Sequence, residues 1–124
     1  HRRDVVVAVA VRRPASRDAM RFRKVTRVKP IGAPVLSIAA HLPTSGGRIR
    51  DARVAYCAMG VTPMRAIAVE RALEGHSLTE ADIAPALAVA TDGFDPPDDS
   101  IASGWYRREV LPVHLKRLIL EKAR

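Results

Sequence analysis

Few side chains in this sequence are placed to do covalent chemistry. The only cysteine, Cys57, stands in "YCAMGVTPMRA" (56–66), close to Gly60 and to a helix-start signal at Thr62-Pro63. A thiol on the first amides of a helix is shifted towards thiolate by the macrodipole and becomes a nucleophile. Cys57, however, lies within an extended segment three residues before Gly60, off those amides, and reads as a small buried hydrophobe. His1, His41, His76 and His114 are scattered and form no HxxxH or CxxC spacing, so no metal site is expected. Asp98-Asp99 could imitate an acid pair, but at a helix entrance such carboxylates complement the dipole. There is no Walker loop and no GxGxxG, and Ser45-Gly46-Gly47 is too short to cradle phosphate. No catalytic residue is expected in the chain.

Charge is the stronger compositional signal. The 124 residues carry 21 basic and 13 acidic side chains, a net charge of +8. Residues 1–29 hold ten bases and two acids, which accounts for the whole excess. Such a patch could meet nucleic acid, a cofactor phosphate or an acidic partner, or be a solvated strand face. Only Phe22 among the five aromatic residues lies inside it, so a base-stacking platform is not evident. The length suits one domain that needs neither disulfide nor metal, and a single cysteine favours a reducing compartment such as the cytoplasm. No apolar run approaches the roughly 18 residues of a membrane span. "HRRDVVVAVAVRRP" (1–14) superficially resembles an export signal, but seven apolar residues closed by Arg12-Arg13 fit a buried strand better. A start at His1 rather than Met suggests a fragment or a processed piece.

The elements that would position these residues fall into two halves. Residues 4–12 are apolar on both faces, as in an interior strand, and 21–27 read as a charge-rich extended segment. "KPIGAP" (29–34) is a turn or bulge. From 35 to 42, Leu36, Ile38, Ala40 and Leu42 share one face and Ser37, Ala39 and His41 the other. "PTSGG" (43–47) is a hairpin loop, and 48–59 is the return strand with Ala52, Val54, Tyr56 and Ala58 on one face. Thr62-Pro63 then predicts a helix from about residue 63, with Gly75 as its stop. Thr79 with Asp82 predicts a capped second helix to about 90, containing Pro85. After "GFDPPDD" (93–99), Ser100 is the expected cap of a third helix reaching about Lys122, with Trp105, Val110 or Leu111, Leu115, Leu118 and Ile119 inward and a kink near Pro112. Strands followed by helices predict a single α+β domain, an antiparallel sheet with helices on one face.

In this order, "FRKVTR" (22–27), "VLSIAA" (35–40), "GGRIRDARVA" (46–55), "GVTPMRA" (60–66), "ALEGHSLTEADI" (72–83), "DPPDD" (95–99) and "ASGWYRREVLPVHLKRLI" (102–119) resemble a known family. It is the C-terminal domain of the FAD-binding subunit of molybdenum hydroxylases, a group with carbon monoxide dehydrogenase medium chains and xanthine dehydrogenase flavin subunits. The resemblance implies three or four antiparallel strands packed against three helices. It also implies an accessory role in an oxidoreductase whose electrons pass from molybdenum through iron–sulfur clusters to FAD and then to an acceptor. The flavin would be held mainly by an N-terminal FAD-anchoring domain, which nothing in this chain resembles. Tight FAD binding and catalysis by this chain alone are therefore not expected. Its implied partners are that domain and the iron–sulfur and molybdopterin subunits, with no membrane and no nucleic acid. By the same resemblance, Phe22 would stack near or shield the isoalloxazine ring, and Lys24 would supply positive charge near the cofactor or its acceptor. The competing reading from charge alone is a small basic nucleic-acid-binding module.

Overall fold

A computed structural model describes residues 4–29 and 31–121. Its elements run β1 (Met20–Thr26), β2 (Pro34–His41), β3 (Thr44–Ser45), β4 (Arg48–Ile49), β5 (Arg53–Cys57), β6 (Met64–Arg65), α1 (Ile67–Leu73), α2 (Glu80–Ala88) and α3 (Gly104–Leu120), with a 3-10 turn at Arg17–Ala19. Strands β1, β2, β5 and β6 form one antiparallel sheet in the order β1-β2-β5-β6, and β3 and β4 form a separate two-stranded ribbon. The expected α+β architecture, an antiparallel sheet against three helices, is the one observed.

The period-2 pattern of β2 decides which way the sheet faces. Leu36, Ile38 and Ala40 point to the helices and are buried, joined from β5 by Val54 and Tyr56. Against them pack Val69 and Leu73 of α1, Ile83 and Ala86 of α2, and Leu111, Leu115, Leu118 and Ile119 of α3. The α3 stripe recurs at three- and four-residue spacing, one side of a helix. Tyr56 stacks at a tilt on Phe94, ring centroids 4.9 Å apart.

Local chemistry explains the turns. Gly46 and Gly47 both have positive φ, as the tight turn between β3 and β4 requires. Thr79 caps α2 as expected, its hydroxyl accepting from the Asp82 amide at 3.4 Å, while Asp82 reaches the Ser77 amide at 3.0 Å. Gly75, at φ +78°, follows the end of α1. Helices α2 and α3 run through Pro85 and Pro112.

Several expected boundaries move. The strand predicted over 4–12 is not formed. Residues 4–14 carry no regular secondary structure, and the valines stay in solvent. The physical reason is that the sheet is covered by helices on one face only, so a strand apolar on both faces has no place in it. Residues 48–59 are not one strand. Asp51, at φ 56°, turns the chain between β4 and β5. Thr62-Pro63 does not open a helix. Residues 64–65 first pair with β5, and α1 begins at Ile67 without a side-chain cap. The cap of α3 is Ser103, whose hydroxyl accepts from the Tyr106 amide at 3.1 Å, rather than Ser100. Trp105, expected inward, is 69% exposed because it lies off the Arg107–Leu111–Leu115 stripe. Lys122, the expected end of α3, lies outside the described residues.

Candidate functional site

The side of the sheet away from the helices is built by the residues that alternate with the core. In β1 these are Met20, Phe22 and Lys24, all exposed. The pairing register sets Met20 opposite His41, Phe22 opposite Ala39 and Lys24 opposite Ser37. The next strand sets Ser37 opposite Cys57, Ala39 opposite Ala55 and His41 opposite Arg53, and β6 sets Arg65 opposite Ala55. Directly paired residues share a face, so Phe22, Ala39, Ala55 and Arg65 form one row across the sheet. Lys24, Ser37 and Cys57 form the row on one side of it, and Met20, His41 and Arg53 the row on the other.

The middle of this face is low. Ala39 and Ala55 form the floor of an open trough of about 320 Å³, walled by Met20, His41, Arg53 and Arg65. The small floor lets a flat group approach the backbone, and Phe22, 68% exposed, stands beside it as an unburied aromatic ring. The two arginines are already engaged. Arg53 pairs with Asp51, and Arg65 holds Glu70 at 2.5 and 3.0 Å. Glu70 is buried and also accepts from the Val54 amide at 2.8 Å, so this pair ties β6 and β5 to α1. The carboxylate bond to Glu70 pushes the Arg65 guanidinium further up. Lys24 makes no ion pair among the described residues.

Both expected cofactor-facing residues therefore lie on one face of β1, two positions apart, and neither is core. Met20, His41, Ala55, Arg53 and Arg65 complete that face and were not singled out from the sequence. The alternation of β2 places Ala39 and His41 together, but only the register brings Phe22 beside them.

The other side chains with possible chemistry are structural. Asp99 accepts from the Ile101 and Ala102 amides at 2.8 and 3.0 Å, and both its carboxylate oxygens accept from the single Arg107 Nη2 at 2.7 and 2.8 Å. The backbone bonds, then the guanidinium, hold its carboxyl below the usual carboxylate range. Asp98 accepts from the Gly104 amide at 2.6 Å. Cys57 is the half-buried last residue of β5, not fully buried as expected. His114 sits on α3, where burial and the nearby Arg23 and Arg117 push its imidazolium below its ordinary pKa. No cluster of metal-ligating side chains occurs among the described residues.

Three bases of the N-terminal quarter, Arg21, Arg23 and Arg27, are engaged within the fold. Arg21 donates to the Leu118 and Glu121 carbonyls at 3.2 and 3.1 Å and also to that of Ile119, closing the C-terminal end of α3. Arg23 pairs with Glu121, and Arg27 donates to the Ile101 carbonyl at 3.4 Å. These guanidiniums fasten β1 and its loop to the helical layer and are not free to meet a polyanion.

The model of the CO dehydrogenase flavoprotein C-terminal domain matches residues 22–122, beginning at Phe22. The chain belongs to this family. The glyceraldehyde dehydrogenase medium chain of Sulfolobus acidocaldarius is 31% identical over 87 residues, 70% of this chain and 31% of that protein. CO dehydrogenase from Oligotropha carboxidovorans has the same fold at a TM-score of 0.73 and 25% identity, over 82% of this chain and 35% of that one. Quinoline 2-oxidoreductase from Pseudomonas putida 86 gives 0.75 and 29% identity, over 86% and 37%. The chain thus spans about a third of the length of these relatives. The shared fold is the four-stranded antiparallel sheet with three helices. No helix among the described residues is long and apolar enough to cross a membrane.

Proposed function

We propose that this domain is the C-terminal accessory part of the flavin subunit of a molybdenum-dependent hydroxylase or dehydrogenase, and that its open sheet face covers the FAD site. The observation that carries the reading, beyond family membership, is that face: an exposed Phe22 beside a two-alanine floor, with Lys24 on the same side. Its chemistry fits a flavin ring. A flat aromatic system gains from an aromatic neighbour and from a floor without large side chains, and an ammonium favours the anionic charge of a reduced flavin. The fit extends to the ring only. The sequence has no glycine-rich loop of the kind that cradles pyrophosphate, so anchoring falls to an N-terminal FAD domain.

Bound FAD would supply redox chemistry that collects electrons one at a time from iron–sulfur clusters and passes them to an acceptor. Phe22 would shield and orient the ring and exclude water from it. Lys24 would set the local potential. Molybdopterin and iron–sulfur subunits complete the assembly, in a cytoplasmic setting. The relatives are named for glyceraldehyde, carbon monoxide and quinoline. One domain type beside three such different substrates favours a role in cofactor housing over substrate choice.

The test is flavin retention. His1–Arg124 alone should bind FAD weakly or not at all and should join a stoichiometric flavoprotein once the FAD-anchoring domain is supplied. In that assembly Phe22→Ala should weaken FAD retention by about tenfold, the loss of an aromatic contact worth ~1 kcal/mol or a little more. Tight stoichiometric FAD binding by the isolated chain would overturn the division of labour. An assembled flavoprotein indifferent to Phe22 and Lys24 would overturn their roles.

A further inference from the structure

The four-stranded sheet ends in two edges of different kinds. At one, β6 has only two residues, Met64–Arg65, too short to template another strand. At the other, β1 runs for seven residues, Met20–Thr26, without proline, and its register with β2 is regular as far as Val25. The Leu42 amide donates to the Ala19 carbonyl at 2.7 Å, which fixes the phase of that ladder. Bonded positions alternate in an antiparallel pair, so Arg21 and Arg23 turn their backbone groups to β2. Met20, Phe22 and Lys24 turn theirs outward. The Met20 amide is taken by the Arg17 carbonyl. The amides and carbonyls of Phe22 and Lys24 have no partner among the described residues.

We propose that this edge takes an extended acidic segment of another protein chain as an added strand. Main-chain bonds to Phe22 and Lys24 give such a segment its register, and charge selects it. Residues 17–29, which are β1 and its flanks, carry six bases against the single acid Asp18. Arg21, Arg23 and Arg27 serve the helical layer. Arg17, Lys24 and Lys29 make no ion pair among the described residues, so cations stand free within β1 and beyond both its ends. The same charges disfavour a second copy of this chain, because two β1 strands side by side bring like charges together. A body seated on the open face approaches along the sheet normal, and the edge stays accessible from the side. The proposal needs no flavin and is independent of the reading of that face.

Amide hydrogen exchange at Phe22 and Lys24 tests this, in His1–Arg124 and in the assembled flavoprotein, with a synthetic heptapeptide of alternating glutamate and valine as the probe. Both amides should exchange freely without peptide and at least about tenfold more slowly at saturation. The Arg21 and Arg23 amides, already bonded to β2, should not change. A fully N-methylated heptapeptide of the same charge should protect neither Phe22 nor Lys24, and nor should a lysine–valine heptapeptide. Arg17→Glu combined with Lys29→Glu, at exposed positions outside the strand, should weaken binding by about tenfold. Absence of slowing at millimolar peptide overturns the proposal. Equal slowing by the methylated peptide overturns strand addition, and equal slowing by the lysine peptide overturns acidic selection. Protection that grows with the concentration of the chain alone means a second copy and overturns it too. So does an edge already protected in the assembled flavoprotein without peptide, which means coverage from within. Flavin retention enters none of these outcomes, so the two readings fail separately.

Discussion

The two faces of the four-stranded sheet are made by the same strands, residue by residue in alternation. Towards the helices, Leu36, Ile38, Ala40, Val54 and Tyr56 are sealed from water. On the other side Met20, Phe22, Lys24 and Arg53 are open to it, over a floor of Ala39 and Ala55. The inner face is large and apolar and gains its free energy within the chain. The outer face is small in the middle and mixed at the rim, and contributes little to folding. That difference teaches where each property resides. Stability belongs to the inner face and the staples around it, and the surface proposed for recognition can change without unfolding the domain.

The largest effect should come from the staple that fixes α3 to the sheet. Arg107 is 1% exposed and donates to the Val35 carbonyl at 2.8 Å, to the Pro97 carbonyl and to Asp99. Arg107→Ala leaves these acceptors without their donor and should lower unfolding free energy by about 3–5 kcal/mol in urea denaturation. Next, Ile38→Ala on the inner face should lower it by about 2–5 kcal/mol. Gly104 has a packing reason of its own, since a Cβ there would stand 2.2 Å from the Pro96 carbonyl oxygen. Gly104→Ala should lower stability by about 1–3 kcal/mol through that overlap.

Acid sharpens the same contrast. The Asp99 carboxyl is held low in the fold, so its contribution is complete above the unfolded carboxylate pKa of about 4 and is lost as pH falls through the lower folded value. Denaturation midpoints between pH 7 and pH 3 should fall less steeply in Asp99→Asn than in the parent chain. An unchanged acid slope would show that this staple does not titrate with unfolding. On the inner face Tyr56 serves by its ring, since its hydroxyl has no partner among the described residues and burial pushes the phenol up. Tyr56→Phe should change stability by less than about 1 kcal/mol. Smallest of all, Phe22→Ala on the outer face should stay within about 0.5 kcal/mol of the parent while flavin retention falls. A large loss of stability there would erase the distinction between the faces.

Much of this architecture is legible in short stretches because it depends on neighbours in the chain. The alternation over 35–42, the turn at Gly46-Gly47, the Thr79 cap and the α3 stripe from Leu111 to Ile119 are local patterns, and they are where the chain folds as expected. Boundaries set by distant partners were not legible. Thr62-Pro63 carries a helix signal, but β5 offers backbone partners to residues 64–65, and that pairing defers the helix. Trp105 has the composition of a core residue and is turned out by the phase of α3.

The candidate site divides the same way. The sequence by itself determined the family pattern, the apolar inner face and the type of residue at positions 22 and 24, because side-chain chemistry and period are written along the chain. Only the tertiary structure decided that Phe22 stands beside Ala39 and Ala55, that Arg21 and Arg23 serve α3 rather than a ligand, and that residues 5–11 find no partner in this sheet. Register, helix phase and the coverage of a sheet depend on segments far apart in sequence, and packing alone brings those together.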